Sequence, residues 1–408
     1  MTDQKKIQQK KWTEAIEGYK HHELELMERP KPKPKMIFEY SQTIITFDNL
    51  GNTCFLNSVI QAMIHSKQLR NFILSGQYSV DSTIWREFVN IVKTGCQGTI
   101  EMSPNALHEA FIYRKKEKEP YACMEPGWQH EQQDAEEAFT LLVNAFHEAI
   151  LIKGKAFVDP TPCNDSDKRK LIEESIRQLN RDMEINREGG ASEISKMFLN
   201  QWYERVQCLQ CKRKNRKYPF SYHFALPMIN TSGNVDIYDL LKNNSRREHM
   251  TGEEAYHCED CCQKCSPKNG ALPTEKCTKT DGFKKVGKIF RPADNLVIKF
   301  QRFKSSYNPS TGTIDWDKDE KFVDYPLTGL DLTNWVKYPG HPRLVYKLRS
   351  IVFHIGSTPH GGHYRAGSLI NNRWVILDDS KYSIVGEHQM KKIVNNEAVL
   401  LFYEKIEF

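Results

Sequence analysis

The stretch that decides the fold is Asn49-Leu50-Gly51-Asn52-Thr53-Cys54-Phe55-Leu56-Asn57-Ser58. After Cys54 the apolar residues keep the spacing of one helical face, and Asn52 or Thr53 stands where a cap for that helix is expected. A thiol at the start of a helix lies beside unpaired backbone N–H groups and the positive end of the helix dipole, and both stabilise a thiolate. The stretch makes Cys54 a candidate nucleophile, although a buried structural cysteine is the better interpretation of this segment taken alone.

A segment near the other end of the chain supplies the partners that such a thiol needs. His360-Gly361-Gly362-His363-Tyr364 follows His354, and its two glycines would let the backbone pass close to a substrate. Further on, Trp374-Val375-Ile376-Leu377 predicts a strand that ends in Asp378-Asp379-Ser380. A carboxylate there is suited to hold a histidine tautomer and to stabilise its imidazolium. Each feature alone is better explained as an ordinary histidine or a solvated turn, but together with Cys54 they indicate nucleophilic catalysis.

The composition and the order of the predicted elements indicate an α+β fold. The chain has 408 residues, of which 39% are hydrophobic and 27% charged, so it is long enough to bury a large core. Helices are predicted from Cys54 and over about 133–150, and the charged, helix-like stretch 164–190 is interpreted as a surface insertion. From about residue 200 on, β-branched and aromatic runs favour an antiparallel sheet with strands at 220–226, 295–303, 344–354, 363–369, 374–377 and 398–403.

The remaining features argue against several classes of protein. No apolar run is long enough to cross a membrane, and the start MTDQKKIQQKKW holds no apolar signal segment, so we expect a cytoplasmic or nuclear protein with reduced cysteines. The net charge of +6 is small for this length and is only a weak argument for nucleic-acid or membrane binding. Residues 1–43 form a charged extension in which Pro30-Lys31-Pro32-Lys33-Pro34-Lys35 predicts an extended spacer.

Four ordered motifs resemble those of the ubiquitin-specific protease family, papain-like cysteine proteases that remove ubiquitin. Two of them are the segments around Cys54 and His363 quoted above. The third is Gln132-Gln133-Asp134-Ala135-Glu136-Glu137-Ala138-Phe139, which is similar to the Gln-x-Asp-Ala-x-Glu helix segment of the family. The fourth, 292–303, is similar to a sheet motif that ends in Lys-Arg-Phe, with Gln301 in place of the usual lysine. We expect that departure to alter a contact at the sheet edge and not the chemistry.

The resemblance implies a papain-like α+β fold that is often described as a right hand. It predicts one catalytic domain over 44–405, with a thumb at about 45–195, zinc-bearing fingers at about 196–290 and a palm at about 291–405. It implies a thiol-dependent ubiquitinyl hydrolase that cleaves the thioester, isopeptide or peptide bond at the C-terminal glycine of ubiquitin through a thioester acyl-enzyme. Ubiquitin and ubiquitinated proteins are the expected partners, and the need for an activating protein partner is left open.

The resemblance also implies roles for individual residues. Cys54 matches the nucleophile, His363 the general base and Asp378 the third member of the triad. Asn49 matches the side chain that forms the oxyanion hole together with the backbone N–H of Cys54. Asp379 follows the triad carboxylate directly and is a candidate to replace it, or to orient water or the histidine.

Three further positions match contacts to the extended C-terminal tail of ubiquitin, namely Gln132, Asp134 and Tyr364. His360 is a rival for the general base, three residues before His363, but the family motif favours the histidine directly before Tyr364. His354 matches a structural histidine at the end of a strand.

Two CxxC pairs predict a structural zinc site. Cys208-Leu209-Gln210-Cys211 and Cys258-Glu259-Asp260-Cys261 have 46 residues between them, and each pair can supply two thiolates to tetrahedral Zn²⁺. That separation suits two hairpin tips brought together at the ends of long strands, which the resemblance identifies as the fingers. Because Cys262-x-x-Cys265 is also a CxxC pair, the register of the second pair stays open, and a second site that includes Cys277 is an alternative.

Three other functions fit parts of the pattern. A pseudoenzyme that binds ubiquitin without cleaving it is disfavoured because Cys54, His363 and Asp378 are all present. A protease for another ubiquitin-like modifier is not separated from a ubiquitin protease by these motifs. A basic zinc protein that reads nucleic acid is disfavoured, because the charge is diffuse along the sequence and the CxxC pairs lack the spacing of a nucleic-acid-reading finger.

Overall fold

The computed structural model of the protein describes most of the chain from residue 43 on. The described residues are 43–78, 82–96, 100–124, 127–151, 156–157, 165–185, 190–231, 233–252, 255, 258, 261, 283–337, 343–394 and 396–406. They belong to one unit, Ser41–Phe408. The predicted spacer at 30–35 lies outside the described residues, and so do Cys163, Cys262, Cys265 and Cys277.

The helices of the described residues lie mostly before residue 200. Their bounds are α1 Cys54–Ile64, α2 Lys67–Ser75, α3 Thr83–Gly95, α4 Asn105–Lys118, α5 Ala135–Ala149, α6 Ser166–Ile185, α7 Glu193–Phe198, α8 Ile237–Asn244 and α9 Glu387–Val394. Single 3₁₀ turns occupy Tyr121–Cys123 and Trp128–His130. Among the described residues, no helix is long and apolar enough to cross a membrane.

The strands lie mostly after residue 200, so the predicted α+β class is confirmed. Their bounds are β1 Ile45–Phe47, β2 Ile100–Met102, β3 Asn200–Cys208, β4 Lys214–Lys217, β5 Phe220–Ser221, β6 Phe224–Pro227, β7 Val235–Asp236, β8 Arg247–Met250, β9 Phe283–Arg291, β10 Asn295–Gln301, β11 Phe303–Asn308, β12 Thr313–Lys318, β13 Val323–Asp324, β14 Thr328–Asp331, β15 Val345–Thr358, β16 Gly361–Ile370, β17 Arg373–Asp378, β18 Lys381–Val385 and β19 Ala398–Lys405.

An eight-stranded sheet separates two hydrophobic cores. Its strand order is β18-β17-β16-β15-β19-β10-β6, with β14 paired to β15, and β10 runs parallel to β6. Because side chains alternate along a strand, neighbouring residues of β15 enter different cores. Val352 packs with the helices, whereas Ile351 and Phe353 pack in the second core. Strands covered on both faces are nearly continuous apolar runs, which is why the sequence shows them clearly.

The helix α1 is buried along its whole length, although the apolar pattern predicted only one buried face. Its polar side chains are accommodated because they bond to backbone oxygens. Gln61 Nε2 donates to the carbonyl oxygen of Ile45 at 2.6 Å, and Asn57 Nδ2 donates to that of Asp48 at 3.1 Å. Such bonds satisfy the donor groups of these buried amides. The helix packs against β15, β16 and β17 and also against α2 and α5, so no side of it is left exposed.

A second, five-stranded sheet has the order β4-β3-β9-β8, with β5 paired to β3. The helix α6 packs on it through Ile172, which contacts the cluster of Tyr203, Tyr218 and Phe290. The stretch 164–190, interpreted as a surface insertion, therefore contains a helix with one buried face. Its buried residues Ile172, Leu179 and Met183 keep a helical spacing, which the many charged residues between them obscure in the sequence.

The six predicted strands are all found, with changes at their ends. The run at 220–226 divides into β5 and β6, and the run at 295–303 is interrupted at Arg302. Arg302 is fully buried, and its guanidinium donates to the backbone oxygens of Ala398, Asp319 and Lys321 at 2.7, 2.9 and 2.8 Å. The subdomain boundaries stay a prediction; β6, in the range predicted for the fingers, pairs in the eight-stranded sheet.

Candidate active site

Cys54 is the first residue of α1 and is 2% exposed. Thr53 is the N-cap residue, but its side chain makes no bond to the helix and instead accepts a hydrogen bond from the Leu50 N–H at 2.9 Å. The N-terminal end of α1 therefore keeps N–H groups for another acceptor near the thiol. The backbone N–H of Tyr364 donates to Cys54 Sγ at 3.5 Å, which links α1 to β16.

His363 on β16 lies beside Cys54 and bonds Asp378 at the end of β17. Its Nε2 lies 2.6 Å from Asp378 Oδ1, and the Cys54 side chain is near enough to the ring to act on its pKa. The Cys54 side chain is the main cause that raises the pKa of His363 to about 9; the bond to Asp378 adds to it, and burial opposes it. An imidazolium beside the thiol is therefore favoured at neutral pH. Asp379 also has a carboxylate oxygen within 4.8 Å of a His363 ring nitrogen.

Asn49 is fixed by a network that includes Asp379. Its Oδ1 accepts from the N–H groups of Gly51 and Thr53 at 3.0 and 3.2 Å. Its Nδ2 donates to Asp379 Oδ2 at 2.9 Å, and because an amide nitrogen carries two hydrogens, one N–H remains for another acceptor. Asp379 Oδ1 accepts from Asn57 Nδ2 at 2.8 Å. The role of Asn57 could not be predicted from the sequence, because nothing in the local pattern of α1 connects it to a residue so far along the chain.

The strands β15 and β16 come very close to each other at Gly362, one residue before His363. This glycine has φ of +123°, and a Cβ atom there would lie 2.2 Å from the carbonyl oxygen of Ile355. Only glycine fits such a position. The sequence suggested that the glycines leave room for a substrate, whereas at Gly362 the space is taken by the chain itself.

The two other histidines of this segment have different surroundings. The His360 ring lies edge-on to Trp316, with centroids 5.5 Å apart, and it is His363 that lies beside Cys54 and bonds Asp378. His354 is fully buried in the middle of β15 rather than at the end of a strand as predicted. Burial lowers the pKa of His354 to about 4, so it is neutral and serves in packing.

The structure brings the three predicted tail-binding residues to one place at the start of α5. Asp134 caps this helix by accepting from the Glu136 N–H at 2.7 Å, and burial raises its pKa. Gln132 is 7% exposed and its Nε2 has no partner in the structure. Tyr364 differs from the expectation: its side chain is only 1% exposed, and its hydroxyl donates to the Pro359 oxygen at 3.2 Å.

An ion cluster behind these residues was missed in the sequence. Lys299 Nζ donates to Glu136 Oε2 at 2.5 Å, and His223 Nδ1 lies 3.3 Å from Glu136 Oε1. Burial raises the pKa of Glu136, but His223 and Lys299 outweigh it and lower the pKa overall. One sequence feature could have indicated the cluster, namely a lysine within the apolar run Leu296-Val297-Ile298-Lys299-Phe300.

Four thiols form a candidate metal centre at the end of β3. Cys208 Sγ lies 3.7 Å from Cys261 Sγ, Cys211 Sγ lies 3.6 Å from Cys258 Sγ, and all four sulfurs are within 4.8 Å of one another. Four sulfurs at ~2.3 Å from a tetrahedral zinc ion are about 3.8 Å apart, so the spacing fits that ion. Among the described cysteines none is in a disulfide. The cluster uses the first of the two registers that the sequence left open.

A buried thiol at the start of a helix, beside a histidine–carboxylate pair on a facing sheet, is the arrangement of a papain-like cysteine protease. The chain belongs to the ubiquitin carboxyl-terminal hydrolase family, whose model matches residues 45–403. The resemblance drawn from the four sequence motifs is thereby confirmed.

Known relatives are similar over most of this chain. The rat protein "Ubiquitin carboxyl-terminal hydrolase 2" is 26% identical over 375 residues, which are 89% of this chain and 54% of the relative. The human "Ubiquitin carboxyl-terminal hydrolase 21" is 26% identical over 378 residues, which are 87% of this chain and 60% of the relative. The chain therefore spans little more than half the length of these curated relatives.

Solved structures share the fold. The SAGA Ubp8/Sgf11/Sus1/Sgf73 DUB module bound to ubiquitin aldehyde contains a chain that matches with a TM-score of 0.60 and 18% identity. The match covers 94% of this chain and 73% of that one. At this level of identity the likeness concerns the fold.

Proposed function

We propose that this chain is a thiol-dependent deubiquitinating enzyme that hydrolyses the bond after the C-terminal glycine of ubiquitin. The observation that carries the proposal is the placement of His363 beside Cys54, with His363 Nε2 at 2.6 Å from Asp378 Oδ1 and the backbone N–H of the next residue, Tyr364, donating to Cys54 Sγ at 3.5 Å. The names of the relatives support ubiquitin as the substrate. Asp378 holds one ring nitrogen, so the other ring nitrogen is directed to the thiol.

In the first half of the reaction the enzyme is acylated. The proton of the Cys54 thiol resides on His363, and the thiolate attacks the carbonyl carbon of the ubiquitin C-terminal glycine. The negative charge that develops on the carbonyl oxygen is stabilised by the Cys54 backbone N–H and by the free N–H of Asn49. His363 then gives its proton to the leaving lysine nitrogen as the C–N bond breaks, and the amine departs.

In the second half a water molecule releases ubiquitin. His363 takes a proton from the water, which attacks the thioester carbonyl. The C–S bond breaks, the free carboxylate of ubiquitin is formed, and the proton on His363 again faces the Cys54 thiolate. The raised pKa of His363, about 9, keeps this proton in place between cycles.

Gln132 and Asp134 are proposed to hold the extended tail of ubiquitin. The side chain of Gln132 supports this role because its Nε2 is buried without a partner, and a substrate backbone oxygen would satisfy it. Asp134 is held in place as the cap of α5. Two residues later, Glu136 forms an ion pair with Lys299. Tyr364 is proposed to support the residues that hold the tail through packing, because its hydroxyl is already bonded to the Pro359 oxygen.

The four-cysteine cluster is proposed to bind one structural zinc ion. Its ligands would be the thiolates of Cys208, Cys211, Cys258 and Cys261, whose spacing suits tetrahedral coordination. Such an ion would tie the end of β3 to the segment around 258–261 and supply no chemistry to Cys54. The backbone N–H of Cys211, which donates to Cys208 Sγ at 3.5 Å, supports a thiolate at that position.

The experiment that tests the proposed activity is hydrolysis of ubiquitin whose C-terminal glycine carries a fluorogenic amide. We expect turnover by the unmodified chain and none by Cys54→Ala, while Cys96→Ala, which alters a cysteine outside the cluster, retains activity. Binding of ubiquitin without turnover, also after addition of co-purified proteins, would instead show a pseudoenzyme. Turnover of another ubiquitin-like modifier in preference to ubiquitin would assign the chain to that modifier.

An activating partner is a further proposal. The SAGA DUB module contains the subunits Sgf11, Sus1 and Sgf73 beside Ubp8, so a chain with this fold can act within an assembly. A strong increase in turnover on addition of a co-purified protein would support a partner for this chain. Full activity of the purified chain alone would contradict it.

A further inference from the structure

The positive charge of the chain is concentrated on the five-stranded sheet. The whole chain of 408 residues has a net charge of +6, yet β3, β4, β5, β8 and β9 together hold nine Lys or Arg and two Glu. The concentration is hidden in the sequence because these strands come from separate segments. Strand pairing brings these segments together, so the charge is concentrated in the structure, although it is diffuse along the sequence.

The strand register places several of these cations on one face. Arg205 and Arg216 lie directly opposite each other across β3 and β4. Lys288 of β9 lies opposite Tyr203, which is two residues before Arg205 and therefore shares its face. Lys337 covers the same face, with its Nζ 4.4 Å from the centre of the Tyr203 ring. We call Arg205, Arg216, Lys288 and Lys337 the basic face.

The cations of the basic face are poorly neutralised within the chain. Arg216 Nη1 lies 3.6 Å from Glu174 Oε2, and none of the other ion pairs among the described residues includes a member of the basic face. Burial and then the charges of Arg205, Lys288 and Arg216 lower the pKa of Lys337. Like charges directly opposite each other destabilise a sheet. An anion bound across the face would relieve this repulsion.

The chemistry of the face fits a nucleic-acid backbone better than a protein. On β3, β4, β8 and residues 288–291 of β9, no large apolar side chain is exposed, so the anchor on which protein interfaces depend is missing there. Single-stranded nucleic acid is bound by exposed aromatic rings, whereas Tyr203 is 3% exposed beneath Lys337. The face is covered in part by α6, beside which Arg216, Lys288 and Lys337 are exposed and Arg205 is half-buried. Lys and Arg side chains in such a position can contact the phosphates of a duplex without reading its bases.

We propose that the basic face binds the phosphate backbone of double-stranded DNA without sequence preference. The strands β4, β3 and β9 are neighbours, so the face is about 10 Å wide at the strand spacing of ~4.8 Å. Over that length a duplex carries about six phosphate charges, which is enough to engage all four cations. None of the four residues belongs to the Cys54 site, so this proposal and the proposed activity can fail separately.

The test uses a fluorescently labelled duplex of arbitrary sequence and 20 base pairs, about two helical turns long. Fluorescence anisotropy measures its binding to the full chain at a series of salt concentrations. Four phosphate contacts predict a slope of about −3.6 in log K against log salt concentration. The variant Arg205→Gln/Lys288→Gln/Lys337→Gln is expected to flatten the slope by about 3 and to weaken binding at least tenfold, roughly, at low salt.

Two controls separate the face from net charge and from folding. The variant Lys67→Gln/Lys116→Gln/Arg373→Gln removes three exposed cations elsewhere and is expected to keep the slope. The variant Arg205→Lys/Lys288→Arg/Lys337→Arg preserves the charges and is expected to bind the duplex like the unmodified chain. If the triple glutamine variant does not fold, Lys337→Gln alone, at an exposed position, is expected to flatten the slope by about 1.

Several results would overturn the proposal. Equal weakening by both glutamine triple variants would assign the binding to net charge. An unchanged slope in the folded basic-face variant would exclude the face. Tighter binding of a polyglutamate peptide or of single-stranded DNA than of the duplex would assign the face to another kind of polyanion.

Discussion

Asn49 and Asp379 are 330 positions apart in the chain and are joined by a hydrogen bond of 2.9 Å from Nδ2 to Oδ2. The bond connects the proposed oxyanion donor, just before α1, to the residue that follows the proposed triad carboxylate, Asp378, at the end of β17. The backbone N–H of Phe47 also donates to the backbone carbonyl oxygen of Asp379 at 3.1 Å. The two halves of the active site are therefore aligned by Asp379, while Asp378 bonds the histidine.

Removal of the Asp379 carboxylate is expected to lower kcat by releasing Asn49. Loss of one oxyanion donor costs about 10²–10³ in kcat, so Asn49→Ala is expected to fall in that range and Asp379→Ala to fall by less. The double variant should be no worse than Asn49→Ala, because both changes act on one interaction. Steady-state kinetics with a fluorogenic ubiquitin amide measures all three.

The competing role for Asp379, replacement of Asp378 as the partner of His363, predicts a different result. In that case Asp379→Ala would shift the pH dependence of kcat/KM, and its effect would add to that of Asn49→Ala. An additive double variant with a shifted pH profile would contradict the alignment role.

Asp378→Asn is expected to move the alkaline limb of kcat/KM to lower pH. The hydrogen bond with Asp378 is one of the contacts that raise the pKa of His363 from 6.5 to about 9, after the larger contribution of Cys54. The stabilisation that the protonated histidine gains from these contacts is thus fully present below pH 6.5 and is lost as the pH rises through about 9. A profile from about pH 5 to 10 measures the shift, and Asp379→Asn serves as the control with an unshifted limb.

Zinc content is expected to follow the four clustered cysteines. Purified protein should carry about one zinc per chain, and Cys208→Ser or Cys261→Ser should lower the content and the thermal stability. Cys96→Ser is the matched control, because its Sγ bonds the Val92 oxygen within α3 and lies outside the cluster. Elemental analysis with a melting curve checks both. Full zinc content in Cys261→Ser would show that other cysteines hold the ion.

Arg302→Leu is expected to lower the free energy of unfolding by about 3 kcal/mol or more. The change removes three hydrogen bonds from a buried charged group and leaves the oxygens of Ala398, Asp319 and Lys321 without their donor. Urea unfolding measures the loss. The exposed Arg373→Leu should change the stability by no more than about 0.5 kcal/mol. Equal effects of the two changes would contradict the role of Arg302.

Sequence patterns were sufficient where the structure depends on local chemistry. The helix that begins at Cys54, the strands of the central sheet and the order of the motifs are local or periodic features, and each was found close to its predicted position. The two CxxC pairs could be predicted as one cluster because each pair has the spacing with which two thiolates bind one zinc ion.

Features that depend on contacts between distant segments could not be predicted in this way. The bond of Asn57 to Asp379 spans 322 positions, and it requires the register of α1 against β17. The bond of Lys299 to Glu136 likewise spans 163 positions, and no local pattern connects the two residues. The basic face exists only because β3 pairs with both β4 and β9, so its charges are scattered in the sequence.

The most direct test of the central claim is the mass spectrum of the protein after reaction with ubiquitin that carries a thiol-reactive group at its C-terminus. We predict one covalent adduct, mapped to Cys54, that is absent in Cys54→Ala and strongly slowed in His363→Ala. An adduct on another cysteine, or no adduct on folded protein that contains its zinc, would contradict the account.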